Sequence, residues 1–212
     1  MAAESIPYLP ALVGGAIGFA SAIFAEPLRR WIFSPKLLVS FEDSTDYRAR
    51  TPETATYRDP AASAVPVHSN HEAEYVRVKV VNDARPLAKE CRAYLIGIEK
   101  QQNNGAFAPT IYCDSIPLAW SCRDDMAYEP VDLPNGVAQF IDLLSVRSIS
   151  DEYRLEIKPL PQRYVGFLRD KGTFRFTVQV SGENAKPVFI TVLFTWNGTW
   201  DEYDAKPDTT HA

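Results

Sequence analysis

Between Ser5 and Ala25 this chain has no Lys, Arg, Asp or Glu, although 23% of its 212 residues are charged. Cysteine is scarce as well. Cys91, Cys113 and Cys122 are the whole set, with no close C-x-x-C pair, which excludes the usual structural zinc layout and a disulfide framework. Three free thiols in a reducing compartment, or one disulfide with a spare thiol, account for that number. Positive charge is not in excess: the net charge of −5 excludes a sequence-independent nucleic-acid binder. No P-loop, dinucleotide fingerprint, G-x-S-x-G elbow or kinase motif set occurs. After Phe33 no long amphipathic helical pattern occurs either.

What is present begins with the uncharged run itself. Ile6 to Ala25 supplies the roughly 20 apolar residues that a helix needs to cross a hydrocarbon core. A soluble helix of that length would show a polar face, and here Ser21 is the only strongly polar side chain. Tyr8 and Trp31 suit the two interfaces, and Pro7 and Pro10 fall in the first turns, where a missing N–H costs least. A cleaved signal would want a basic start, which is missing, although Ala20-Ser21-Ala22 offers a small-x-small site. Residues 1–33 are therefore expected to be a transmembrane anchor. Arg29, Arg30 and Lys36 follow the run and only Glu4 precedes it, so the positive-inside rule puts the C-terminal part in the cytoplasm. Gly14, Gly18 and Ala22 are spaced by four, a pattern that lets a second helix approach closely.

Beyond Phe33 the period changes to two. Lys36–Phe41 reads as a first strand. Val76, Val78 and Val80 alternate with Arg77 and Lys79, and Tyr153, Leu155 and Ile157 alternate with Arg154 and Glu156. Phe174 to Val180 and Val188 to Trp196 are the longest such series, joined by the turn-forming Ser181-Gly182-Glu183-Asn184. Cys91–Glu99 is another run of β-formers. Residues 43–72 show little periodicity and read as a long loop, and about 101–136 as an elaborated insertion. The expected organisation is an anchor over 1–33, an all-β antiparallel immunoglobulin-like sandwich over 34–203, and a flexible tail over 204–212.

The stretch YVRVKVVNDARPLAKECRAYLIGIE, Tyr75 to Glu99, resembles the strand–turn–strand unit of bacterial immunoglobulin-like domains of the CARDB type. Asn82, Ala88 and Tyr94 match that pattern, whereas Asp83-Ala84-Arg85-Pro86 departs from the usual Asn-Gly turn. The whole layout resembles uncharacterised bacterial single-pass membrane proteins with a cytoplasmic sandwich. That resemblance implies an architecture and no activity.

The candidate chemistry is thin. His68-Ser69-Asn70-His71-Glu72 has two histidines three apart plus a carboxylate, but lacks the HExxH order and reads as a solvated loop. Cys113 and Cys122 have no histidine placed to activate them and read as buried thiols. Asp124 and Asp125 form an acidic pair without the spacing of a calcium loop. Trp196 continues a buried series, and Trp200 reads as strand-end packing or as an aromatic offered to a partner. No catalytic residue, metal or cofactor is expected. The expectation is a non-catalytic module that recruits or scaffolds a partner at the cytoplasmic membrane face. Its partners would be the bilayer, through the helix, and another copy or a different protein, with Trp200, Asp124 and Asp125 as possible contact surface. Two other readings stand beside it: an oligomerising effector whose helices disturb the bilayer, and an exported envelope- or glycan-binding domain.

Overall fold

The computed structural model describes residues 34–57, 67–112, 114–164 and 169–208, together with Phe19 and Ala25, which are helical and exposed. The expected anchor helix and its contact positions Gly14, Gly18 and Ala22 lie outside the described residues, apart from those two. Among the described residues, no helix is long and apolar enough to cross a membrane.

The described chain is an all-β, antiparallel, two-sheet sandwich. In the first sheet, the long strand β3 (Val67–Asn82) lies between β1 (Leu37–Ser40) and β2 (Arg48–Tyr57) on one side and β9 (Ala138–Arg147) on the other. The far edge of β9 pairs with β7 (Ala119–Trp120) and β10 (Tyr153–Leu155). The second sheet runs from β13 (Tyr203–Pro207) through β12 (Val188–Trp196) and β11 (Gly172–Ser181) to β4 (Ala88–Gln101). Short strands β5 (Phe107–Pro109), β6 (Ile116–Pro117) and β8 (Val131–Leu133) share the outer edge of β4.

Alternation sets the core. Val76, Val78 and Val80 from β3 are fully buried, as are Phe174, Phe176, Val178 and Val180 from β11 and Val192, Phe194 and Trp196 from β12. Each such side chain contributes about 1.5–3 kcal/mol of apolar burial. The aromatic members cluster at one end, where Tyr153 meets Phe194 edge-on at 5.1 Å and Trp196 at 5.9 Å between ring centroids.

Three expectations need correction. Residues 43–72 are no simple loop: β2 and the first half of β3 pair in register from Arg48↔Val76 to Tyr57↔Val67. Residues 204–207 are not tail: with Tyr203 they form the edge strand β13, paired with Val192–Trp196, with Ala205 fully buried. Cys122 is exposed rather than buried, because it occupies a turn after β7 at φ 60°. Cys91 is a free, buried thiol, pushed up to about 11 by burial and by the nearby Asp132 carboxylate. Cys113 lies outside the described residues.

The two ends of the sandwich differ in what they carry. β1 starts at one end, beside Asn82. From the other end the β2–β3 hairpin projects: β9 stops pairing at Ala73↔Arg147, while β2 and β3 continue from Glu53↔His71 to Tyr57↔Val67. This two-stranded ribbon extends about 17 Å beyond the sheet.

Candidate functional site

The root of that ribbon carries the densest polar cluster of the first sheet's outer face. Strand alternation puts His71, Ala73, Tyr75 and Arg77 on the outer side of β3. Pairing sets Glu53 opposite His71, Arg147 opposite Ala73, Ser145 opposite Tyr75, and Asp142 opposite Arg77. Glu156 follows β10 and donates its backbone N–H to Leu143 O at 3.1 Å, which brings its side chain to the same face.

Glu53 is the centre. Arg147 donates from Nε to Glu53 Oε2 at 2.8 Å and from Nη2 to Oε1 at 3.3 Å. Tyr75 donates its hydroxyl to Oε1, and His71 Nε2 lies 3.2 Å from Oε2. Arg147 also donates to Ser145 Oγ at 3.1 Å, and Ser145 donates to Glu156 Oε1 at 2.7 Å. Ser145 and the His71 side chain are buried although they point away from the core. Burial opposes the charge of Glu53, but the hydrogen bonds from Arg147 and Tyr75 outweigh it and hold the carboxyl below its usual range. Burial, reinforced by the Glu53 hydrogen bond, raises the Tyr75 phenol.

Chemically this is a clamp. Both Glu53 oxygens accept bonds and its pKa is depressed, so it is a poor proton acceptor at neutral pH. Ser145 is engaged on both sides, by a guanidinium and by a carboxylate, so its hydroxyl proton is already committed to Glu156. The clamp ties β2 to β9 across β3 and fixes the direction in which the ribbon leaves the sheet. Asp142, further along the same face, accepts a hydrogen bond from Ser121. Burial and the Glu156 charge push its carboxyl up to about 6, against the opposing effects of Ser121 and Arg77.

A second ionic group closes the corner between β2 and β13. Arg48 pairs with Asp43 at 2.9 Å and Asp204 at 3.3 Å, and its guanidinium lies 5.3 Å from the centre of the Tyr203 ring. Arg50 pairs with Glu74 at 2.9 Å and lies 4.9 Å from the centre of the Trp200 ring. Asp43, Arg48, Arg50 and Glu74, with Ser44 and Thr45, line a shallow cleft of about 360 Å³.

The sequence-predicted residues fall apart in space. Trp200 is half-buried against the core in the β12–β13 turn, under Arg50. Asp124 is exposed and Asp125 adjoins it in a 3₁₀ turn, Asp124–Met126, between β7 and β8. His71 lies within strand β3 as a clamp residue rather than in a solvated loop. Among the described residues, no group of three or more His, Cys, Asp or Glu side chains is placed to hold a metal ion. Sequence reading missed Glu53, Tyr75 and Arg147 because they lie 22 to 94 positions apart and only strand pairing joins them. No protein-family model matches this chain, and no curated protein matches it.

Proposed function

We propose that this chain is a membrane-anchored, non-catalytic binding and assembly module that holds a protein partner at the cytoplasmic face of the membrane. The observation that carries the reading is the β2–β3 ribbon. It is clamped at its root by Glu53 and Arg147 and projects from the end opposite the start of β1, where the apolar N-terminal segment joins. An arm fixed in direction on one side and a 20-residue apolar run on the other suit a tether that presents a surface. Tethering raises the effective concentration of whatever the arm meets. The sheet edges favour recognition by the arm over simple strand addition. β2 carries Arg48, Arg50 and Pro52, and β13 carries Asp204, Lys206 and Pro207, residues that blunt edge pairing.

The strand order supports an immunoglobulin-like reading of the sandwich. β1, β3, β9 and β7 follow the A-B-E-D order of one sheet, and β4, β11 and β12 the C-F-G order of the other, with β2, β10 and β13 added. Assembly through Gly14, Gly18 and Ala22 completes the model.

Two measurements test it. The full-length chain should stay with membranes through an alkaline wash. Photo-crosslinking groups at Thr54 or Asn70 should trap a protein in cells, where the same group at Lys206 does not. Release by the wash, or equal trapping at all three positions, rejects the proposal.

A further inference from the structure

Of the eight exposed large apolar side chains of the described sandwich, four gather at one end, while Ile111, Met126, Ile149 and Leu160 are elsewhere. At the end where β1 begins, Leu38 is 44% exposed, Leu87 38%, Val137 42% and Phe189 58%. Leu87 lies in the β3–β4 connection and Val137 in the β8–β9 connection, while Leu38 and Phe189 are the second residues of β1 and β12. The connections are held in place. Asn82 is fully buried and donates from Nδ2 to Leu133 O at 3.0 Å and Pro86 O at 2.6 Å. Its Oδ1 accepts from Lys36 N and Ala84 N, each at 3.2 Å. Asn184 donates to Leu87 O and accepts from Lys89 N, both at 2.9 Å. These bonds fasten the loops in a form that leaves Leu87 and Val137 about two-fifths exposed. At the opposite end, Ile149 is exposed next to the acidic Asp151 and Glu152, and Asp201 and Glu202 follow Trp200.

Chain length limits which end can face a membrane. Glu26 to Lys36, eleven residues, separate the apolar run from β1. Fully extended they reach about 37 Å. β3 has 16 residues and spans about 50 Å. A sandwich standing with its ribbon on the bilayer would hold Leu37 beyond the reach of its own tether.

We propose that the end bearing Leu87, Val137, Leu38 and Phe189 rests on the phospholipid surface, so that the β2–β3 ribbon points away from the bilayer. The proposal rests on the membrane-anchor reading given above. The apolar side chains sit at headgroup depth. Lys36, Arg85 and Lys89 are exposed at the same end, interspersed with Asp83, Glu90, Asp132 and Glu183 and with Lys36 paired to Asp83 at 3.6 Å, a mixed-charge rim that lies at the level of the zwitterionic headgroups. The ribbon end is held out in solution.

The test uses the full-length chain with Cys113→Ser and Cys122→Ser, reconstituted in phosphatidylcholine vesicles. One added cysteine at Leu87, Val137, Thr54 or Asn70, beside the buried Cys91, carries an environment-sensitive fluorophore, and a fraction of the lipid carries a headgroup nitroxide. Quenching at positions 87 and 137 should exceed that at 54 and 70 by about threefold or more. Equal quenching at all four positions in protein that floats with the vesicles overturns the orientation and leaves the anchor intact. Protein that fails to float overturns the anchor and the orientation with it. A second variant guards against a local effect of the label. With Leu87→Asp and Val137→Asp together, a fluorophore at Lys89→Cys should lose half or more of its quenching while flotation persists; unchanged quenching also overturns the orientation.

Discussion

The two ends of the sandwich are fastened by different chemistry. At the end where β1 begins, neutral amides do most of the work: Asn82 and Asn184 bind backbone groups of Pro86, Leu87, Lys89 and Leu133, beside a single exposed ion pair, Lys36–Asp83. At the ribbon end, ions do it: Glu53 with Arg147, Arg48 with Asp43 and Asp204, Arg50 with Glu74. Neutral hydrogen bonds to the backbone are insensitive to salt and to pH near neutrality, whereas half-exposed ion pairs respond to both. One end therefore behaves as a fixed base and the other as an adjustable one.

The largest effect is expected at the base. Asn82→Ala removes four hydrogen bonds and strands the buried Leu133 carbonyl, at a cost of about 4 kcal/mol. Urea unfolding at low and high salt should give the same loss; a loss that changes with salt would contradict the neutral assignment. Gly182→Ala strikes the same end. A Cβ there would lie 2.9 Å from Lys89 O and 3.2 Å from Cys91 Sγ, so backbone must move. About 3 kcal/mol is expected, and a variant as stable as the parent would show that the β11–β12 turn is free to shift.

Asp142→Asn tests the ionic half through pH. Its carboxyl is raised from 3.8 to about 6, so the folded state binds the proton more tightly than the unfolded state. The stabilisation is full below pH 3.8, is lost as pH rises through 6, and amounts to about 3 kcal/mol across that window. Asparagine can still accept the Ser121 hydrogen bond and carries no charge. The variant should therefore gain on the parent steadily from about pH 4 to about pH 6 and keep that gain unchanged above about pH 7. Glu53 has the opposite sign: its depressed carboxyl loses stability only as pH falls below the ordinary carboxylate range. Parallel pH profiles for parent and Asp142→Asn would dispose of the assignment.

Legibility in the sequence followed the same division. Strands with one buried face announced themselves: Val76, Val78 and Val80, or Phe174 and Phe176, alternate without interruption. β9 did not, because a bulge places Leu143 and Leu144 side by side on the core side and breaks the period of two. β2 did not because RARTPETATY carries no alternating apolar series. β13 is a five-residue edge strand with one fully buried side chain, Ala205. The clamp was illegible for a different reason. An ion pair such as Glu53–Arg147, 94 residues apart, has no local signature. Asn82 stood out only through its place at the end of a valine strand, and nothing local revealed that it ties three segments together.

Glu53→Gln separates clamp from ribbon. Arg147 keeps a hydrogen-bond acceptor but loses its charge partner in a half-buried position, for about 2 kcal/mol. The loss should shrink in molar salt, which screens the parent's pair. Protease cutting within 54–70 should increase while cutting at the Asn82 end stays unchanged. Uniform acceleration at both ends would mean that the clamp stabilises the whole domain rather than the ribbon root.

The smallest expected effect lies at the corner between the sheets. Asp204→Asn removes one of two carboxylates from Arg48, which still pairs with Asp43 at 2.9 Å and donates to Ala205 O at 3.1 Å. Asp204 is half exposed, so the pair has the modest worth of a surface ion pair, about 0.5 kcal/mol. The informative readout is salt. If Arg48 joins β2 to β13 mainly through its packing on the Tyr203 ring and its bond to the Ala205 carbonyl, the variant and the parent should become equally stable at high ionic strength. A difference that persists in molar salt would mean that Asp204 bonds Arg48 in a site closed to ions. The ribbon end would then be as fixed as the base, and the contrast between the two ends would fail.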